Sequence, residues 1–424
     1  MKKLIKNVVE LDMTKATPES VKGVTINNVV SVIVTTATKP LLGQMDIGNM
    51  VEMIEIPEGA EKVAINGNVV IDSNEMACSG KETFLMINGN LVVRNGVSTE
   101  TLQKYISRGA NVNGSVILPS TMASLLTQLN VSVNGNIMPY PADSLLFTDI
   151  EQFSIGSPIG QINNNFLEAL PVNANITIVP ECAPNGELLI THDTCAAVFE
   201  KHIGKLTVFG NVIIPESLTG AFYKAASQYG KVTVMPDGYV FQNNHLHINA
   251  ANILGFKDKS IYTRSSIIFK DGLDSQRIQQ MDFKLQTESF VILPEYLADV
   301  LLEKIKSDTI YTYKGQLVSV TSEINLSKTD LQETTSFFVR GDGEITFNED
   351  ISAEDIQNIS EIFLYGNISL WQAQAKVINN KLAVNKGNVE VLTHEAKDDS
   401  PVANDNSDDA KYDVVIGNAV EYAL

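Results

Sequence analysis

One short phrase recurs along this chain and limits what it can fold into. An apolar alternation runs into Gly-Asn, or a close variant, and then into a second apolar run. It reads VAINGNVVI at Val63 to Ile71, FLMINGNLVV at Phe84 to Val93, NVNGSVILP at Asn111 to Pro119 and VSVNGNIMP at Val131 to Pro139. Later copies are KLTVFGNVIIP (Lys205 to Pro215) and EIFLYGNISL (Glu361 to Leu370), with a degenerate KVTVMPDGYVF at Lys231 to Phe241. Gly67, Gly89, Gly114 and Gly135 follow one another at intervals of 22, 25 and 21 residues. A unit this short cannot bury its own apolar face. Stacked copies share a continuous core, so such a period predicts a repeat array rather than a series of globules.

Between copies the period changes from two to that of a helix. Glu216 to Tyr229 places Leu218, Phe222, Ala225 and Tyr229 on one stripe and stops at Gly230. Glu295 to Ser307 does the same with Leu297, Val300, Leu301 and Ile305. Thr101 to Arg108, Ser120 to Leu129, Thr194 to His202 and Ala353 to Ile359 are shorter helical segments. The unit therefore reads strand, Gly-Asn turn, apolar run, helix. The predicted fold class is an α/β solenoid of strand-turn-helix repeats, with a parallel β-solenoid as the alternative.

At Ile203 to Ile213 the residues fill the pattern LxxLxLxxNxL through Ile203, Leu206, Val208, Asn211 and Ile213, with Pro215 following. Ile359, Ile362, Leu364 and Asn367 fill it with Ser369 in the last slot. Val63, Ile65, Asn68 and Val70 match without the first slot, as do Leu85, Ile87, Asn90 and Val92, and Val131, Val133, Asn136 and Met138. On these residues the chain resembles a divergent leucine-rich repeat protein over about half its length. The resemblance implies a curved stack of parallel strands on a concave side, with helices behind. It also implies a structural role for the turn asparagines Asn68, Asn90, Asn136, Asn211 and Asn367. A buried, stacked amide would satisfy backbone groups where the chain leaves the strand, and the preceding glycine would permit the turn. The 37 asparagines then read as structure rather than chemistry.

In the same picture, strand positions between the core slots face the concave side. The candidate partner-binding residues are Phe84, Met86, Asn88, Asn130, Ser132, Asn134, Lys205, Thr207, Phe209, Phe363 and Tyr365. Aromatic, Met and Asn side chains with little charge suit protein contacts.

Charge narrows the function classes. The net charge of −19 argues against phosphate-backbone binding and against docking on an anionic membrane surface. The N-terminus lacks the unbroken apolar core of a signal peptide, and no apolar run is long enough to span a bilayer. Cys78, Cys182 and Cys195 have no CxxC spacing and read as free, mostly buried thiols. A cytoplasmic location is expected, with export by a signal-independent route or incorporation in a particle as the alternative.

Searches for catalytic motifs return little, so the chain reads as not an enzyme, with no cofactor and no metal. There is no phosphate loop, HExxH, GxSxG or GxGxxG. His245 and His247 alternate on one strand face, but no third ligand accompanies them. His192 and Cys195 read as a helix pair with the thiol as core filler. Asp342, Glu344, Asn348, Glu349 and Asp350 form an acidic cluster without EF-hand spacing, read as a solvated hairpin turn at Asp342-Gly343. Arg340-Gly341-Asp342 reads as coincidence.

The predicted organisation is an N-terminal cap (1–45), a solenoid (46–248), divergent repeats or an inserted mixed region (249–346), a C-terminal repeat and cap (347–394), a disordered acidic linker (395–411) and an apolar tail (412–424). The expected function is a non-catalytic scaffold binding a protein on its concave strands. Alternatives are a self-assembling structural or surface component, associating through Tyr412 to Leu424, and a cation-dependent binder.

Overall fold

The computed structural model describes residues 2–73, 82–148, 161–180, 186–331, 333–393 and 412–424. Each repeat forms one coil. A strand leads to a tight turn at the Gly-Asn position, then a second strand, then a short helix or loop. The following coil lays its two strands in parallel on those two. Thus Val63, Ile65 and Asn66 pair with Leu85, Ile87 and Asn88, while Val69 and Ile71 pair with Leu91 and Val93. Every coil therefore feeds two sheets, where the leucine-rich resemblance implies one strand face backed by helices.

Four coils make a block with two four-stranded parallel sheets. In residues 61–140 the first sheet is Glu61–Asn66, Thr83–Asn88, Ala110–Val112 and Val131–Val133. The second is Val69–Ile71, Leu91–Val93, Val116–Pro119 and Ile137–Tyr140. The plan repeats in residues 145–235, 240–313 and 316–392. The stretch at 249–346 carries the same coils as the rest.

A further block is built from Lys3–Asp12, Val24–Val34, the short strands Asp46–Ile47 and Met50–Glu55, and the C-terminal strands Val414–Gly417 and Glu421–Ala423. Here the first strand runs through both sheet positions and bends only at Asn7, in the left-handed region at φ 53°. We call these the first to fifth blocks, starting with this N-terminal one. The chain divides into two compact units. One holds Met1–Ile190, Thr194–Thr233 and the tail, and the other holds Thr191–Asp193 and the residues from Val234 to the end of the fifth block.

The core lies inside the coils. In the second block Leu85 and Ile87 from one sheet meet Leu91 and Val93 from the other, and Leu102 and Tyr105 of helix Thr99–Tyr105 close the third side. Phe199 and Phe222 do this in the third block and Ile378 in the fifth. The helices are shorter than the periodicity predicts. Glu216–Leu218 and Thr219–Ala225 are followed at once by strand Ala226–Gln228, and Ala298–Leu301 by strand Ile305–Lys306. The last predicted helical turn is taken by the next coil, whose strand pairing satisfies more backbone groups than a frayed turn would.

The turn glycines serve close approach more than backbone freedom. A Cβ on Gly89 would lie 2.3 Å from the Gly67 carbonyl oxygen, one on Gly114 2.3 Å from that of Gly89, and one on Gly135 2.4 Å from that of Gly114. Of these four, Gly67 alone has a positive φ, 129°. The asparagines beside them form two ladders, and they are exposed or half-buried rather than buried as the sequence suggests. Asn88 Nδ2 donates to Asn66 Oδ1 (2.9 Å), Asn113 to Asn88 (2.9 Å) and Asn134 to Asn113 (2.6 Å). On the other side of the glycines, Asn68 Oδ1 accepts from the Asn90 amide (2.9 Å) and Asn90 Oδ1 from the Ser115 amide (2.7 Å). The Asn136 amide donates to Ser115 Oγ, Lys231 N to Asn211 Oδ1, and Asn388 Nδ2 to Asn367 Oδ1. The ladder can lie at the surface because it runs from coil to coil and each amide finds the next one.

Blocks also pack through their outer faces. Val70, Val92, Ile117, Met138 and Tyr140 of the second block meet Leu146, Val179 and Phe209 of the third. Ile268, Phe290, Ile292, Tyr311 and Tyr313 of the fourth meet Leu317, Phe338, Phe363, Tyr365 and Val384 of the fifth. Among the described residues no helix is long and apolar enough to cross a membrane.

Candidate functional site

The face between the first and second blocks differs from the other two interlayer faces, and the difference follows from side-chain size. On the first sheet of the second block, one row across the coils reads Ala64, Met86, Asn111, Ser132. The neighbouring row begins Lys62, Phe84. Coils one and two thus present Lys62, Phe84 and Met86, whereas coils three and four present Asn111 and Ser132. Phe84 and Met86 pack against Ile33, Ile54 and Ile56 and close the face. Beyond them the side chains are too short to reach the opposite layer.

The result is a cleft of about 540 Å³, lined by Met53, Ile54, Ile56, Pro57 and Phe84 on the apolar side. Its polar lining is Thr36, Glu55, Arg108, Asn111, Asn130 and Ser132. That volume falls within the range of small-ligand pockets.

The polar groups are unevenly satisfied. Asn111 is 5% exposed, and its Oδ1 is buried without a hydrogen-bond partner. A buried carbonyl oxygen in this state costs on the order of 1–3 kcal/mol. Arg108 donates through Nη2 to Glu82 Oε2 (2.6 Å), while its Nε–H is buried and unpartnered. Glu55 is held by Lys39 (2.7 Å) and Thr36 (2.9 Å), whose hydrogen bonds keep its carboxyl below the usual carboxylate range. The cleft therefore has Arg108, Asn111, Asn130 and Ser132 over an apolar floor, with the unpaired Asn111 Oδ1 and Arg108 Nε–H enclosed beneath its surface. Glu55 is the one carboxylate in its lining and is paired to Lys39.

Its two ends are fixed. Lys62 Nζ donates to Glu10 Oε1 (2.5 Å) and Glu421 Oε1 (2.6 Å), with Asp12 at 3.5 Å. Burial would lower the Lys62 pKa, but the hydrogen bonds to Glu10 and Glu421 outweigh it and hold the ammonium well above its ordinary value. At the other end Asn134 reaches Glu52 (3.4 Å), which also accepts from Ser31 (2.8 Å).

The sequence-predicted face is thus divided. Phe84, Asn130 and Ser132 line the cleft, and Asn88 and Asn134 belong to the exposed ladder. Met86, Thr207 and Phe363 are buried, and Phe209 and Tyr365 are half-buried against the neighbouring block. Lys205 is exposed. Met86, Phe209, Phe363 and Tyr365 therefore do not form an open face, because the preceding block packs on them, whereas Asn88, Asn134 and Lys205 stay exposed. The cleft residues Arg108, Asn111, Thr36 and Glu55 were missed. The readable signal for Asn111 was the change from large to small polar side chains along one row.

The remaining motifs are dispersed. Leu246 and Ile248 are buried while His247 between them is half-buried. His245 Nδ1 lies 2.7 Å from Ser266 Oγ. Among the described residues no three His, Cys, Asp or Glu side chains are grouped to hold a metal ion. Cys195 is exposed at the N-cap of helix Ala196–His202, contrary to the reading as core filler, because the helix starts one residue after it. Cys78 and Cys182 lie outside the described residues, as does the acidic linker. Strands Thr335–Val339 and Glu344–Phe347, on either side of Asp342-Gly343, belong to different sheets, so the turn is a coil corner and not a hairpin. No protein-family model, curated protein or solved structure shows significant similarity to the chain.

Proposed function

We propose that the protein is a non-catalytic repeat scaffold that binds a partner protein, and that recognition is concentrated in the cleft between the first and second blocks. The observation that carries this reading is the cleft left where Asn111 and Ser132 stand in a face that is otherwise closed by packing. A short peptide segment suits the lining. Its polar groups meet the side chains of Arg108, Asn130 and Ser132, and an apolar side chain lies on Phe84, Ile54 and Ile56. The two-stranded coil supports a parallel β-solenoid variant as the finer fold, with the leucine-rich-like phrase serving its Gly-Asn corner. The exposed Cys195 thiol suits a reducing compartment and a cytoplasmic role.

Selection of peptides from a displayed random library tests the reading. Binders recovered on the native protein should lose at least tenfold affinity for Ser132→Trp, which fills the cleft from an exposed position. Binders that are indifferent to Ser132→Trp and to Asn111→Leu would refute it.

A further inference from the structure

The C-terminal tail is a coil of the repeat array that arrives last in the chain. Its VVIGNAV carries Gly417-Asn418 at the corner, as Asn7, Asn28 and Gly48-Asn49 do in the other coils of the first block. Asn418 has φ 58°, matching Asn7 at 53° and Asn28 at 54°. One side-chain ladder crosses all four coils. Asn7 Nδ2 donates to Asn418 Oδ1 (3.3 Å), Asn28 to Asn7 (3.2 Å) and Asn49 to Asn28 (3.2 Å). The tail pairs in parallel with the first strand, Lys3 with Val414 through Lys6 with Gly417, then Glu10 with Glu421 through Asp12 with Ala423. Three further polar contacts fix it: the Lys2 amide to Asp413 (2.7 Å), Lys3 Nζ to the Tyr422 hydroxyl (2.6 Å), and Lys62 to Glu421.

The tail is the least buried coil of its block. Ile5, Val8, Leu11 and Met13 on the receiving strand are at most 1% exposed, whereas Ala419, Tyr422 and Leu424 are only partly buried on the same core. Residues 394–411 separate it from the preceding coil, a contour of at most about 65 Å. The outer edge of Lys3–Asp12 is therefore a built acceptor for one apolar–Gly-Asn–apolar strand, and its occupant combines modest burial with a long tether. We propose that this edge also accepts the tail of a second copy of the chain, so that copies exchange tails and associate in a closed, reciprocal pair. Exchange needs no new contact, because the swapped tail makes the bonds it makes at home.

Two preparations of the full chain, labelled separately at Cys195 with a donor and an acceptor dye, test this. On mixing at tens of micromolar, energy transfer should develop over hours, and light scattering should show a dimer that grows with concentration. A synthetic peptide of residues 412–424 should suppress both, and the same peptide with Asn418→Val should not, because Asn418 sits in the left-handed region at φ 58° and accepts from Asn7. In a chain nicked within 394–411 by an inserted protease site, the native tail should exchange for the labelled synthetic peptide. This readout requires no deletion that could unfold the block. A monomer at every concentration with no energy transfer overturns the proposal, even if the nicked chain takes up peptide. Association that the peptide fails to suppress overturns it too, since another surface would then be responsible.

Discussion

Replacing Gly114 by alanine tests the reason for the glycine ladder. The added Cβ would stand 2.3 Å from Gly89 O, 2.7 Å from Gly89 C and 2.9 Å from Asn90 Oδ1. Two of these atoms are backbone of the adjacent coil and cannot swing away. Restoring an ordinary contact requires the coils to part by roughly 1 Å at a spacing of about 4.8 Å. Overpacking of this kind costs about 1–3 kcal/mol. The same movement stretches the Ser115 amide to Asn90 Oδ1 bond (2.7 Å) and the Asn113 amide to Ile87 O bond (2.8 Å), each worth about 1 kcal/mol net. A total of about 3–5 kcal/mol is expected. The control is Gly220→Ala, where nothing lies within 4 Å of the new Cβ and the site is in helix Thr219–Ala225. There alanine should be neutral or stabilise by up to about 1 kcal/mol. Urea unfolding followed by hydrogen exchange at Val112 and Val116 reads the second block directly. Equal protection in Gly114→Ala and Gly220→Ala would refute the close-approach argument and return the glycines to a purely conformational role.

Four other outcomes are expected. Lys62→Met leaves Glu10, Asp12 and Glu421 without their common cation and should destabilise the first block by about 2 kcal/mol, visible as faster exchange at Val9 and Glu10. Because the folded pKa of Lys62 is raised, the stability it adds is fully present below about pH 10.4 and is lost only as pH rises beyond that; an alkaline melt of the native protein should show the loss and Lys62→Met should not. Tyr140→Phe removes the buried hydroxyl that donates to Val93 O (2.8 Å) and should cost about 1–2 kcal/mol in chemical denaturation. His247 is held below its ordinary pKa by burial first and then by Lys270, His245 and Arg340, so its protonation favours the unfolded chain. Stability of its unit should fall as pH drops below about 6.5, and melts at pH 7.5 and 5 should converge in His245→Gln/His247→Gln. Asn111→Leu should raise stability by about 1 kcal/mol while weakening peptide binding; lower stability would contradict the unpaired state of its carbonyl.

The repeat itself was legible because it is local. Alternation around Gly-Asn marks strands, and the core slots Leu85, Ile87, Leu206, Val208, Ile362 and Leu364 lie inside the coils of their blocks. The tail's Gly417-Asn418 carried the same signal, yet its partner strand lies some four hundred residues away at Lys3–Asp12, a distance no local period spans.

The amino-acid sequence by itself determined the coil: two apolar runs, a close-packed Gly-Asn corner, and an amide ladder beside it. Those are interactions between neighbours about twenty residues apart, so they leave a periodic trace. Only the tertiary structure decided how coils are grouped into fours and what covers their outer faces. Phe84, Met86 and Phe363 look alike whether they face solvent or a second sheet, because an apolar side chain at an alternating position carries no record of which layer it meets. The cleft follows from that second level, where Asn111 and Ser132 are too small to reach the layer opposite them.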